Sequence, residues 1–152
     1  MHITYRLMNI NDYEQVYALW ILCGNGLNDK DDSYSGIEKY LKRNPTTSFV
    51  ALDGEKIVGV ILCGHDGRRG IIQHACVSPY HRRYGIGKKL VDLALEALKK
   101  EGITKVLLVA FKKNKGGNAF WEAQGFTLRD DLNYRNKALT ELVRIDPDYI
   151  KE

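Results

Sequence analysis

Apolar and polar positions along these 152 residues switch between a period of two and a helical spacing, and the switches mark the elements. Ile3–Leu7 alternates like a first strand. Helical spacing follows at Val16, Leu19, Trp20 and Cys23, opened by Asn11-Asp12-Tyr13-Glu14, a capping residue with Glu three positions on. Ser35-Gly36-Ile37-Glu38 repeats that signature for a second helix, which Asn44-Pro45 ends. Residues 48–52 and 56–64 read as a hairpin around Asp53-Gly54, and Gly70–Val77 as the strand after it. A helix over 88–100 carries Leu90, Val91, Ala94, Ala97 and Leu98 on one face and ends at Gly102. A strand is predicted over 105–111 and a short helix over 118–124, with Gly125 as its left-handed terminator. Residues 127–134 and 138–145 would close the sheet as a last hairpin.

No repeat, low-complexity tract or linker interrupts this order, so residues 1–152 read as a single domain. Hydrophobic content of 44% and charged content of 28% are ordinary for a globular chain. The formal charge of +4 is mild, and no basic stripe is interleaved with aromatics, so no nucleic-acid partner is expected. No apolar run approaches the roughly 18 residues of a membrane span, and Met1–Arg6 lacks the apolar core of a secretion signal. A cytoplasmic protein without membrane contact is the expectation. Cys23, Cys63 and Cys76 stand apart without C-x-x-C spacing, which argues against a disulfide framework or a zinc site, and no metal is expected.

The chemistry concentrates where a strand meets a helix through Arg82-Arg83-Tyr84-Gly85-Ile86-Gly87-Lys88-Lys89. Strand, glycine-bearing turn and helix start make an anion site. Glycines remove the Cβ atoms that would block a phosphate, the first helical N–H groups point at it, and cationic side chains add to the attraction. The loop is not a P-loop, because Gly87-Lys88 is followed by Lys89 and position 82 is Arg. Nor is it a dinucleotide fingerprint, because Leu90 stands where the third glycine belongs. What remains is R-x-x-G-x-G with Val77 five residues before the arginine, and it resembles the pyrophosphate loop of the GCN5-related N-acetyltransferases. A second segment, some 30 residues on, is similar to that superfamily's other cofactor motif: Asn114, then Gly116-Gly117, the aromatic pair Phe120-Trp121, and Gly125-Phe126. An ordinary strand–turn–helix joint with core aromatics is the plainer reading of each segment alone.

The resemblance spans roughly residues 48–139 and implies the acetyltransferase fold: an α/β chain with a twisted mixed sheet of six to seven strands and helices on both faces. It implies acetyl-CoA as co-substrate, its pyrophosphate on Arg82, Arg83, Tyr84, Gly85, Ile86, Gly87 and Lys88. Its pantetheine arm would run past Cys76 and Val77 and along Asn114, Phe120 and Trp121. The acceptor would be a primary amine on a small molecule or a peptide, reached by direct transfer; a homodimer is left open. For the base, the strand before the loop offers one imidazole, that of His74, which suits proton removal near neutrality. Period-two alternation puts Gln73 and His74 on opposite faces, and a bulge would exchange them. The family's usual general acid is a tyrosine at the position of Trp121, and an indole N–H cannot give up a proton at useful pH. Tyr134 is the alternative acid, beside a half-exposed structural reading. Asp29, Asp31 and Asp32, in the loop between the first two helices, are candidates to attract a cationic amine, or are simply solvated. Two further readings stand beside the enzyme: a catalytically weak acyl-CoA-binding regulatory module, and a basic domain meeting nucleic-acid phosphate.

Overall fold

The computed structural model describes residues 1–145. Its order is β1 (Ile3–Leu7), a 3-10 turn (Ile10–Asp12), α1 (Tyr13–Cys23), α2 (Tyr34–Arg43), β2 (Phe49–Asp53), β3 (Lys56–His65) and β4 (Gly70–Val77). A 3-10 turn (Pro79–His81), α3 (Ile86–Lys100), β5 (Val106–Leu108) and α4 (Lys115–Ala123) follow. The sheet runs β1-β2-β3-β4-β5 in chain order, antiparallel except for the parallel pair β4–β5.

Helices cover both faces, as the α/β reading expects. On one face α1 and α2 bury Val16, Leu19, Trp20, Ile37 and Leu41 against Val50, Val60 and Leu62. On the other, α3 presents Ile86, Leu90, Val91, Ala94 and Leu98 to Ala51, Val58, Ile61, Cys63 and Ile72. The five α3 side chains follow the three-and-four spacing of one helical face, and each is at most 2% exposed. Burying each of the larger ones stabilises by roughly 1.5–3 kcal/mol before entropy is counted.

Three expectations need correction. The first concerns the caps. Asn9, not Asn11, opens the first helical stretch, exchanging hydrogen bonds with Asp12 in a capping box, and α1 continues from it. Ser33, not Ser35, caps α2 by accepting from the Gly36 N–H at 3.0 Å. Either serine satisfies the pattern on paper; Ser33 wins because its backbone is extended and still outside the helix. The second concerns β5, which is confined to Val106–Leu108 rather than 105–111. The third concerns strand number: the sheet has five strands among the described residues, not six or seven. The expected closing hairpin forms no ladder. Arg129 instead holds Asp131 by two hydrogen bonds of 2.8 Å across a turn at Asp130-Asp131. The polar run Asn133, Arg135, Asn136, Lys137 is β-poor. Only Arg144 makes a bridge, to Asn28.

One irregularity positions the site. Along β3–β4, Leu62 faces His74 and Cys63 faces Ile72, so Gln73 is an extra residue, a β-bulge. Strict alternation would put Ile72 and His74 on one face. The bulge sends Ile72 into the α3 core and His74 to the opposite side, against Trp20.

Candidate functional site

The glycine loop leads into α3 through a left-handed turn. Gly85 is the N-cap of α3 with φ +78°, a left-handed conformation that L side chains rarely adopt, and the space where its Cβ would stand is open. No side chain caps the helix, so the N–H groups of Ile86, Gly87 and Lys88 have no intrahelical acceptor and face the loop. Arg83 also takes a positive φ, +70°, uncommon for a residue with a Cβ. A Cβ on Gly87 would lie 3.3 Å from the Phe120 ring, so the second glycine lets α4 approach α3 as well as freeing the helix end. Arg82 turns back and donates its Nε–H to the Val77 carbonyl at 3.2 Å. His81 anchors the turn before it to Asp53 at 3.1 Å. These residues fit a pyrophosphate: an open main-chain nest at a helix N-terminus, flanked by exposed Arg83, Lys88 and Lys89.

The parallel ladder between β4 and β5 ends at Ile72 and Leu108. Beyond it the strands part, and the bulge at Gln73 begins the divergence. The opening is a cleft of about 410 Å³, lined on one side by Ile72 to Ala75 and on the other by Leu108 to Phe111. Asn114 and Trp121 lie along it, Asn25 to Asn28 form one wall, and Tyr134, Asn136 and Arg144 border it.

His74 lines this cleft. Its Nε2 lies 2.8 Å from Oδ1 of Asp32, whose side chain is only 8% exposed. A carboxylate accepts, so Nε2 carries the hydrogen, and in the neutral ring Nδ1 is the nitrogen with the lone pair. The Trp20 ring packs 4.9 Å from the imidazole and fixes its other flank. Asp32 is itself held: Oδ2 accepts the Asn28 N–H at 2.9 Å, and the Tyr13 hydroxyl donates to the Asp32 carbonyl at 2.6 Å.

The three aspartates of the loop are placed differently. Asp32 is engaged with His74. Asp31 accepts from Asn28 Nδ2 at 3.0 Å. Asp29 accepts the Val143 N–H at 2.8 Å and pairs with Lys30. Asp32 is thus buried in a structural pair, while Asp29 and Asp31 brace the loop from exposed positions. Sequence reasoning missed Asp32 as a partner of His74; the two lie 42 residues apart, and only the shared polar character of the loop hinted at it.

Cys76 faces the same side as His74 and meets Cys23 at the end of α1. The Cys76 thiol donates to Cys23 and Arg82 lies beside it, which brings Cys23 down to about 7 against the opposing effect of burial; Cys76 is pushed up correspondingly. Cys23 also donates to the Val77 carbonyl at 3.5 Å. Trp121 packs edge-on between Phe120 and Phe126, at 5.0 and 5.2 Å. Asn114 lines the cleft but spends its Oδ1 on capping α4, accepting from Gly117. Gly125 ends α4 at φ +90°, as the sequence suggests. Tyr134 borders the cleft at 70% exposure, its hydroxyl accepting from Asn136.

A β4–β5 opening ahead of a helix-capped anion nest is also a matter of kinship. The profile of the Acetyltransferase (GNAT) family matches residues 13–126. The chain belongs to that family. Acetyltransferase SG1711 of Sodalis glossinidius is 29% identical over 136 residues, 90% of this chain and 95% of that protein. Ard1 from Thermoplasma volcanium superposes with a TM-score of 0.76 at 21% identity, covering 85% of each chain. The NatC complex bound to Gag peptide and CoA superposes with a TM-score of 0.67 at 26% identity, over 84% of this chain and 86% of that one. This GNAT protein is thus an N-acetyltransferase with acetyl-CoA as its co-substrate. Among its described residues no helix is long and apolar enough to cross a membrane.

Proposed function

We propose that the chain moves the acetyl group of acetyl-CoA directly to a primary amine on a small molecule or a peptide, with His74 as general base. One observation carries the reading. The one imidazole of β4 is turned by a bulge into the cleft where β4 and β5 part, and a buried carboxylate holds its Nε2–H.

Bound acetyl-CoA supplies an activated thioester. Main-chain N–H groups of Arg83, Tyr84, Gly85, Ile86, Gly87 and Lys88 would hold its pyrophosphate, with Arg82 shaping the turn. Cys76 and Val77 on β4, and Asn114, Phe120 and Trp121 beyond β5, would flank the pantetheine arm. Nδ1 of His74 takes the proton of the incoming ammonium, directly or through a water. Asp32 keeps the tautomer that makes this possible and stabilises the imidazolium that results. Trp121 shapes the cleft and donates no proton to chemistry. Among the described residues Tyr134 carries the one hydroxyl of the cleft lining and is the candidate acid for the departing thiolate; solvent alone is the simpler source.

The test is thiol release from acetyl-CoA against a panel of amines that spans amino acids, peptides, polyamines and aminoglycosides. Amine-dependent release is expected with at least one class. Tight acetyl-CoA binding with no amine-dependent release across the panel would replace the enzyme by a cofactor-binding regulatory module. The peptide arm of the panel is suggested by the peptide-bound NatC likeness.

A further inference from the structure

Two thiols that take no part in the proposed chemistry lie together where α1 crosses the end of β4. The Trp20 ring sits 4.9 Å from the His74 imidazole. Cys23 follows Trp20 by three residues on α1, and Cys76 follows His74 by two on β4. Each spacing keeps a residue on the same face of its element, so the crossing that stacks ring on ring also brings sulfur to sulfur. Both cysteines pack on the core layer of Val60 and Leu62. Cys23 donates its S–H to the Val77 carbonyl at 3.5 Å, one residue beyond Cys76. The hydrogen bond from Cys76 and the nearby Arg82 charge favour the thiolate at Cys23, whose thiol comes down to about 7.

The third thiol provides the contrast. Cys63 is fully buried on the opposite face of the sheet, against α3, and burial pushes it up to about 12. Cys23 and Cys76 are both free and only half-buried. A readily ionised thiol with a second thiol in reach is the arrangement that peroxides oxidise selectively. The position also gives the oxidation a consequence. The Val77 carbonyl accepts from Cys23 and, at 3.2 Å, from Nε of Arg82, the residue that shapes the pyrophosphate turn. A bridge would remove the S–H donor and draw the end of β4 toward α1, because a covalent bond holds two sulfurs closer than a hydrogen bond does.

We propose that Cys23 and Cys76 form a reversible oxidation site, at which a hydroperoxide closes an intramolecular disulfide that ties α1 to β4 and lowers acetyl-CoA affinity. The effect on affinity rests on the cofactor path along Cys76, Val77 and the pyrophosphate loop proposed above. The Cys23 thiolate attacks the peroxide: an S–O bond forms, the O–O bond breaks, and hydroxide leaves and is protonated to water. The Cys76 sulfur then attacks Cys23: the S–S bond forms, the S–O bond breaks, and a second water leaves with the Cys76 proton. Two electrons pass from the thiols to the peroxide, and a thiol reductant returns them.

The test treats the reduced, full-length chain with a small excess of hydrogen peroxide and alkylates it with a maleimide under denaturing conditions. The chain has three cysteines, so three adducts are expected before oxidation and one after, with tryptic fragment 7–30 joined to fragment 70–82. Cys63→Ser should oxidise as the wild type does, whereas Cys23→Ser should keep both of its remaining thiols. Calorimetry then uses acetyl-CoA, which has no free thiol to reduce the bridge. Affinity should fall by roughly tenfold or more on oxidation, within the usual range of coupling between sites, and return with dithiothreitol. Cys23→Ser should bind acetyl-CoA equally well before and after peroxide. Three free thiols after treatment, a bridge to Cys63 or between copies, or a Cys23 sulfinate in place of the bridge would overturn the proposal. So would a bridged chain that binds acetyl-CoA as tightly as the reduced one. A reduced chain that binds no acetyl-CoA would overturn the cofactor path instead, and with it the effect on affinity, while the joined fragments still decide the bridge.

Discussion

Asp32→Asn is the sharpest probe of the proposed base, because it keeps shape and removes one proton-accepting oxygen. The native carboxylate satisfies two donors, His74 Nε2–H at 2.8 Å and the Asn28 N–H at 2.9 Å, in a site that leaves its side chain 8% exposed. An amide has one oxygen for these two donors. If that oxygen stays on Asn28, the NH₂ group faces Nε2 and forces it to become the acceptor. The ring proton then moves to Nδ1, where the base must be empty. If the amide flips, NH₂ opposes the Asn28 N–H, and a buried donor goes unmade at a cost of about 1–3 kcal/mol. The first arrangement is the cheaper, so the dominant effect is a wrong tautomer. Turnover should fall by about 10²–10³-fold, the scale of general-base catalysis. Acetyl-CoA affinity, measured by calorimetry, should hardly move, because the pyrophosphate loop is built from other elements. His74→Ala should lose a similar factor, and the double variant little more than the worse single one, because Asp32 acts through His74. Raising the pH until the amine is deprotonated in solution should recover part of the loss in all three, which a merely structural defect would not do. Near-normal turnover of Asp32→Asn between about pH 6 and 9 would refute the dyad and return the base to water or to the acceptor side.

Gly87→Glu should abolish measurable acetyl-CoA binding, since a side chain there both fills the anion nest and meets the Phe120 ring at 3.3 Å. Calorimetry with a melting curve as control separates lost binding from lost fold, and unchanged affinity would unseat the loop. Trp121→Phe should retain most turnover, and Tyr134→Phe likewise if solvent protonates the departing thiolate; loss of about two orders of magnitude in the second alone would make Tyr134 the acid. Native alkylation should find Cys23 first, rising through about pH 7 as its thiolate forms, while Cys63, pushed up to about 12 by burial, stays unlabelled. Cys76→Ala should move that rise to higher pH, and a wild-type midpoint near the ordinary thiol value of about 8.5 would contradict the thiol pairing.

The residues that were legible are those whose local chemistry leaves no alternative. Gly85 and Gly87 ahead of an amphipathic run announce a helix with a free N-terminus, and the structure has α3 begin at Ile86. Asp53-Gly54 between two apolar runs yields the β2–β3 hairpin, and Gly125 the end of α4. The misplaced caps arose where two equivalent residues compete, Ser33 against Ser35 and Asn9 against Asn11, and the winner is decided by backbone angles that no pattern encodes. The closing hairpin failed for a related reason. Alternation over 127–134 is real, but a strand also needs a neighbour to pair with, and alternation is silent on whether the chain itself provides one.

The site was legible in part for a deeper reason. A single inserted residue, Gln73, lets one strand serve two masters: Ile72 completes the α3 core, and two positions later His74 faces the other layer, where Asp32 waits. The same insertion ends the β4–β5 ladder and opens the cleft. Core packing, the cleft and the proposed base therefore share one bulge, and deleting Gln73 should perturb all three together. Restoring strict alternation would either turn His74 toward α3 and bury an unpaired imidazole, or turn Ile72 out of the core. Burying the imidazole without a partner costs about 1–3 kcal/mol and losing Ile72 from the core about as much, so neither is cheap. The bulge is therefore held by packing on both layers at once, and His74 is pinned into the cleft by the fold itself.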